Sequence, residues 1–105
     1  MTQCKFYSEG GLLTGFELHG HAGGGHAGKD VVCAAVSSAA YMTVNTITDI
    51  YGIPAYTSVE EGNLRMRLTH DGAEKCRELL EGFHLHLVEL QKQYPKNIQV
   101  INTEV

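Results

Sequence analysis

From Val31 to Thr48 the chain runs for 18 residues without a charged side chain, and any fold it adopts must supply apolar surroundings for that stretch. The pattern predicts a helix over Val31–Tyr51, opened by Asp30 as N-cap and closed by Gly52 with Pro54 just beyond. About 21 residues at 1.5 Å each reach about 31 Å. Val32, Val36, Ala39, Thr43, Ile47 and Ile50 form one stripe along it, and Tyr41, Val44, Thr48 and Tyr51 form another. Two apolar stripes call for two partners. A membrane span is the competing reading. Ser37, Ser38, Thr43, Asn45, Thr46 and Thr48 make the segment too polar for lipid. The expectation is therefore no membrane, a protein core under the first stripe and a second copy of the chain, a homodimer, on the second.

The flanking segments are strand-like. Lys5-Phe6-Tyr7 and Leu12–Leu18 are separated by Glu9-Gly10-Gly11, a glycine turn of hairpin length. The second of these strands alternates, with Phe16, Leu18 and Gly20 on one face and Glu17, His19 and His21 on the other. Ala55–Glu60 and Asn63–Thr69 predict another hairpin around Glu61-Gly62, with Leu64, Met66 and Leu68 inward and Arg65 and Arg67 outward on a solvated edge. Asp71, with Glu74 three residues on, has the spacing of a capping box for a second helix. Its stripe is Cys76, Leu79, Leu80, Phe83, Leu87, Leu90 and Tyr94, and Pro95 stops it. Ile98–Thr103 closes the chain as a last strand. The order β-β-α-β-β-α-β predicts an α+β two-layer sandwich with two long helices on a mixed, mainly antiparallel sheet.

At 105 residues the chain is expected to form a single domain spanning 1–105. Twelve acids against eight bases, a net charge of -4, provide no electrostatic footprint for direct nucleic-acid binding. Met1–Ser8 lacks the basic start and apolar run of a secretory signal, so a cytoplasmic location is expected. Cys4, Cys33 and Cys76 are then expected as reduced thiols.

The chemistry concentrates in Gly20-His21-Ala22-Gly23-Gly24-Gly25-His26-Ala27-Gly28-Lys29-Asp30-Val31-Val32-Cys33, where five of the chain's twelve glycines fall within nine positions. A loop so rich in glycine has little backbone restraint, a property suited to a lid. With Asp30 as N-cap, Cys33 occupies the third helical position, where free amides and the helix dipole favour a thiolate and could also receive an oxyanion. His21 stands at the other root of the loop, so folding the loop could bring imidazole and thiol together as a nucleophile and its base.

The same residues resemble a known family, the ribosomal-processing cysteine proteases, which trim the N-terminal extension of large-subunit ribosomal protein twenty-seven. The family pattern is Gly-His-Ala, five variable residues, then Gly-x-Asp-x-Val-Cys-Ala-x-Val-Ser. Gly20, His21, Ala22, Gly28, Asp30, Val32, Cys33, Ala34, Val36 and Ser37 match its fixed positions. The resemblance implies that His21 and Cys33 are the catalytic pair and that the loop, Ala22 to Gly28, closes over a short, largely apolar peptide. It places Gly20, Ala22, Gly28, Asp30 and Ser37 at supporting positions: Asp30 either caps the helix or orients His21, and Ser37 shares a helical face with Cys33. The implied partner is a ribosomal protein precursor with an N-terminal extension, and no cofactor is implied. His19 and His26 are further imidazoles that could be taken for the base.

Other readings of these residues are weaker. Gly23–Lys29 spells G-x-x-x-x-G-K, but Asp30 stands where a phosphate-cradling loop needs Ser or Thr for its metal. His19, His21, His26 and Cys33 are zinc-ligand types, although glycines frame a rigid site poorly, so no metal is expected. His84 and His86 are expected to be solvated and His70 to lie in the turn before the second helix. Cys4 and Cys76, in apolar patterns, are expected to be inert packing residues. The alternative function is a non-catalytic ribosome-assembly factor that binds the same ribosomal protein without cutting it.

Overall fold

The computed structural model describes residues 1–20, 27–60 and 62–105, with 27–30 as backbone. Two strands open the chain, β1 (Thr2–Glu9) and β2 (Leu12–His19), paired antiparallel. Gly10 and Gly11 between them take φ of +58° and +83°, the double left-handed conformation that a two-residue turn needs to match the twist of its strands. The second hairpin joins β3 (Tyr56–Glu60) to β4 (Asn63–Arg67). β4 pairs with β2, and the last strand, β5 (Ile98–Glu104), lies parallel to β1. The sheet therefore runs β3-β4-β2-β1-β5, mixed and mainly antiparallel, with the element order expected from the sequence.

The uncharged segment forms α1 (Ala27–Asn45), continued by one π-helical turn over Thr46–Ile50, and Gly52 ends it at φ +67°. Three threonine hydroxyls at its end donate back to carbonyls four residues earlier: Thr43 to Ala39 (2.8 Å), Thr46 to Met42 (2.7 Å) and Thr48 to Val44 (3.1 Å). They compete with the backbone ladder, and the N–H of Tyr51 reaches past its usual acceptor to Thr46 O at 2.8 Å. Val31–Ile50 has a mean hydropathy of 1.4, enough by length and composition to cross a membrane. Here Val32, Val36, Ala40, Thr43 and Ile47 are buried, and all but Thr43 belong to the same core cluster as Phe6, Phe16 and Leu18. Ile50, expected on this stripe, is exposed, because the wider turn carries it off the buried face. Val31, Tyr41, Met42 and Tyr51 are exposed on the rest of the helix.

The start of α1 corrects the sequence reading. The helix begins at Ala27 rather than Val31, so Asp30 lies inside it and is not its N-cap, and Ala27 and Gly28 leave the expected loop. Ala27 and Lys29 are good helix formers, and one glycine costs only about 1 kcal/mol against alanine, which a long, well-packed helix tolerates.

The second helix is likewise capped elsewhere and divided. Thr69, extended at φ -67° and ψ 163°, caps α2 (His70–Lys75) by accepting from Gly72 N–H at 3.1 Å. Asp71, expected as the cap, sits in the first turn and pairs with Lys75 at 3.2 Å, and His70 belongs to the helix rather than to the turn before it. At Cys76 (φ -104°, ψ 10°) the helix breaks, and α3 (Arg77–Gln93) follows. Cys76, Leu80, Phe83 and Leu87 are buried as the stripe predicts, whereas Tyr94 is exposed. Phe83 meets Phe16 at 4.8 Å between ring centroids and Phe6 at 5.6 Å, which seats α3 on the sheet. His84, expected in solvent, instead stands edge-on to Phe6 at 4.7 Å and bonds Asn102 Oδ1 at 2.8 Å.

Candidate active site

The strand register brings several chain segments to one end of the sheet. Thr2 pairs with Ile98, Gln3 with His19, and His19 with Asn63, so the starts of β1, β4 and β5 and the end of β2 all meet there. Thr2, Cys4 and Phe6 alternate toward the helical layer and are buried. The Thr2 hydroxyl lies 3.5 Å from Cys33 Sγ on α1. Gly20, just past β2, has φ +77°, and its N–H donates to Gly62 O at 3.0 Å. A methyl group added at Gly20 would come within 2.8 Å of the Met1 carbonyl oxygen. Only glycine combines that backbone conformation with so close an approach. From the root of the glycine segment to the sulfur there are thus two contacts: Gly20 against Met1, and Thr2 against Cys33.

His21, Ala22 and His26 lie outside the described residues. Gly28 and Asp30 are placed by the backbone of the first turns of α1. Cys33 is the seventh residue counted from Ala27, not the third of the helix. Its amide therefore falls within the intrahelical ladder, and the expectation that it faces an oxyanion as a free donor is corrected. Ser37 follows one turn later on the same side of α1.

The three thiols differ sharply in their surroundings. All are free, and Cys33 alone is partly exposed. Cys4 is fully buried, and that burial pushes its thiol up to about 12; burial also raises the thiol of Cys76. Neither is available as a nucleophile near neutral pH, in keeping with their expected role as packing residues.

His19 is committed elsewhere. Its Nδ1 lies 2.6 Å from Asn63 Oδ1 and its Nε2 2.9 Å from Glu17 Oε2, so both ring nitrogens are engaged away from the sulfur. This removes His19 as base and as zinc ligand, and no cluster of metal-ligand residues occurs among the described residues. Glu17 is 6% exposed on the sheet face opposite the helices, and Arg65 and Arg67 approach its Oε1 at 3.6 and 3.5 Å. The two arginines, half exposed on β4, which is paired on both sides and is not the solvated edge expected, thus serve a buried acid, and Arg67 also covers the Tyr7 ring at 4.6 Å. Burial pushes the Glu17 carboxyl up, but hydrogen bonds from His19 and Tyr7 and the charges of Arg65 and His19 outweigh it, leaving the group below its usual 4.5.

That direction has a measurable consequence. The unfolded chain binds the Glu17 proton more tightly than the folded one, so this stabilisation is complete above pH 4.5 and is lost as pH falls through the lower, folded-state value. Glu17→Gln is expected to lower stability in urea by about 1–2 kcal/mol at pH 7. The gap to the parent should narrow on acidification. An equal gap at pH 7 and pH 3 would refute the linkage.

Thr2 and Glu17 are the site-end residues that sequence reasoning missed. Thr2 was accessible through its alternation with Cys4 and Phe6, which marks it as inward-facing. Alternation along β2 puts Glu17 off the core face, but its burial depends on which strand carries the arginines beside it, and spacing does not encode that register.

Comparison with known proteins places this arrangement. The family profile described as cysteine protease Prp matches residues 1–99. The ribosomal processing cysteine protease Prp of Bacillus subtilis strain 168 is 28% identical over 96 residues, covering 86% of this chain and 85% of that protein. Among solved structures, SMU.848 from Streptococcus mutans superposes with a TM-score of 0.90 at 30% identity, over 100% of this chain and 96% of that one. The ribosomal processing protease Prp from S. aureus, solved in complex with a substrate peptide, superposes with a TM-score of 0.89 at 21% identity, over 98% and 100% of the two chains, and shares the fold. With the profile matched from the first strand into the last, the chain belongs to the cysteine protease Prp family.

Proposed function

We propose that this protein removes a short N-terminal extension from the precursor of large-subunit ribosomal protein twenty-seven, with Cys33 as nucleophile and His21 as its base. The observation that carries the reading is the meeting of a partly exposed Cys33 with Gly20, the residue preceding His21, at one end of the sheet through Met1 and Thr2. The family's ribosomal-processing relative supports the substrate class. His21 takes the Cys33 proton, and the thiolate attacks the scissile carbonyl carbon. The C–N bond breaks as the proton passes to the leaving amine, giving a thioester. Water then attacks the thioester, releasing the carboxylic acid and restoring the thiol. The glycine-rich segment from Ala22 closes over the peptide, so that ordering it favours the right substrate over poor ones. The protein works in the cytoplasm as a homodimer, with the exposed Tyr41, Met42 and Tyr51 of the long helix against a second copy.

Cleavage of the precursor separates a protease from a factor that only binds the ribosomal protein, and alkylation reports which thiol is accessible. Near pH 7, iodoacetamide followed by peptide mass mapping is expected to modify Cys33 at least about ten-fold faster than Cys4 or Cys76. The precursor mixed with the protein should yield a truncated product and a released peptide by mass spectrometry. A precursor that stays intact would establish the binding factor instead.

A further inference from the structure

We propose that Thr2 is a positioning residue for the Cys33 nucleophile, its hydroxyl donating to the sulfur and holding it in place for attack. The inference rests on Cys33 being the nucleophile and adds a residue that the His21–Cys33 pair does not include. Thr2 is 2% exposed, and a hydroxyl so buried requires a hydrogen-bond partner. Among the described residues its side-chain partner is Cys33 Sγ, at 3.5 Å. The backbone holds the hydroxyl firmly: Thr2 N–H donates to Asn97 O at 2.8 Å, and Thr2 is paired with Ile98 in the parallel ladder. A β-branched side chain on a fixed strand has few rotamers, so the oxygen is presented to the sulfur at little entropic cost.

A hydroxyl at that spot restrains the Cys33 side chain, whose rotamer decides whether the sulfur meets a carbonyl carbon. The preceding residue adds a second function to the same segment. The Met1 carbonyl packs under Gly20, so the first two residues brace both the sulfur and the root of the segment that carries His21.

The test compares Thr2→Val, which keeps the shape and branching without the hydroxyl, with Thr2→Ser, which keeps the hydroxyl. For each, kcat and KM on the precursor, the rate of Cys33 alkylation at pH 7 and the melting temperature are measured. Thr2→Val is expected to lower kcat about ten-fold with KM within about two-fold, and to slow Cys33 alkylation several-fold. Thr2→Ser should stay within about three-fold of the parent in both rates. A merely structural role would move the melting temperature and spare the alkylation rate of the folded protein. If the valine variant does not melt cooperatively, Thr2→Ala read against Thr2→Ser makes the same comparison. Parental kcat and alkylation in a folded variant lacking the hydroxyl would overturn the proposal while leaving Cys33 as nucleophile. Full cleavage by Cys33→Ala would instead overturn the assignment of Cys33 on which the proposal rests.

Discussion

Cys33→Ala is expected to lower the rate of precursor cleavage at least about a thousand-fold, and His21→Ala at least about a hundred-fold. The two losses differ because a thiol retains a few per cent thiolate near neutral pH without a base, whereas nothing replaces the sulfur once it is gone. No other cysteine can substitute. Cys4 is fully buried with its thiol pushed up to about 12, and Cys76 is buried on the helical stripe. Both variants should bind the precursor and melt cooperatively, with Cys33→Ala several degrees below the parent because it leaves the buried Thr2 hydroxyl without its sulfur partner. The measurement is initial velocity by quantitative mass spectrometry of the truncated product. Parental velocity in either variant would remove that residue from the mechanism, and parental velocity in both would end the proposed chemistry.

Phe16→Ala is expected to cost about 3–5 kcal/mol of folding stability, a large share of the ~5–15 kcal/mol typical of a domain. Phe16 is fully buried on β2, 6.0 Å from the Phe6 ring and 4.8 Å from the Phe83 ring between centroids, so it joins β2 and β1 to α3. Truncating it leaves a cavity between the two layers that neither neighbour can close without shifting its own element. In urea titration the midpoint should fall with little change in slope, and the melting temperature should drop by at least about 12 °C. A loss below ~1 kcal/mol would mean that the layers are held together elsewhere. The same variant is expected to lose cleavage on warming well before the parent, because α1 and β1, which carry Cys33 and Thr2, share that core.

Much of the fold was legible because it rests on local rules. Glycine pairs that permit positive φ marked the first hairpin, period-two alternation marked Leu64 and Met66 as inward, and period 3.6 marked Cys76, Leu80, Phe83 and Leu87. The errors fell where two local signals competed. Asp30 and Asp71 are strong cap residues by type, yet both lie inside their helices, Ala27–Asn45 and His70–Lys75; at the second, the extended backbone of Thr69 gives it the cap. The shift at Asp30 matters most for the site. It moves Cys33 from an open amide-rich terminus into the second turn, where its neighbour across the layers is the Thr2 hydroxyl, at 3.5 Å.

By itself the sequence determined the α+β order, the inward stripes, the family and the residues on which the chemistry is proposed, since each is written in neighbouring positions or in a short motif. Only the tertiary structure decided which strands lie side by side, that Glu17 is buried among arginines, that His19 is occupied and that Thr2 stands against Cys33. Those contacts join residues far apart in the chain, and their partners are selected by strand register and layer packing, which no local pattern specifies.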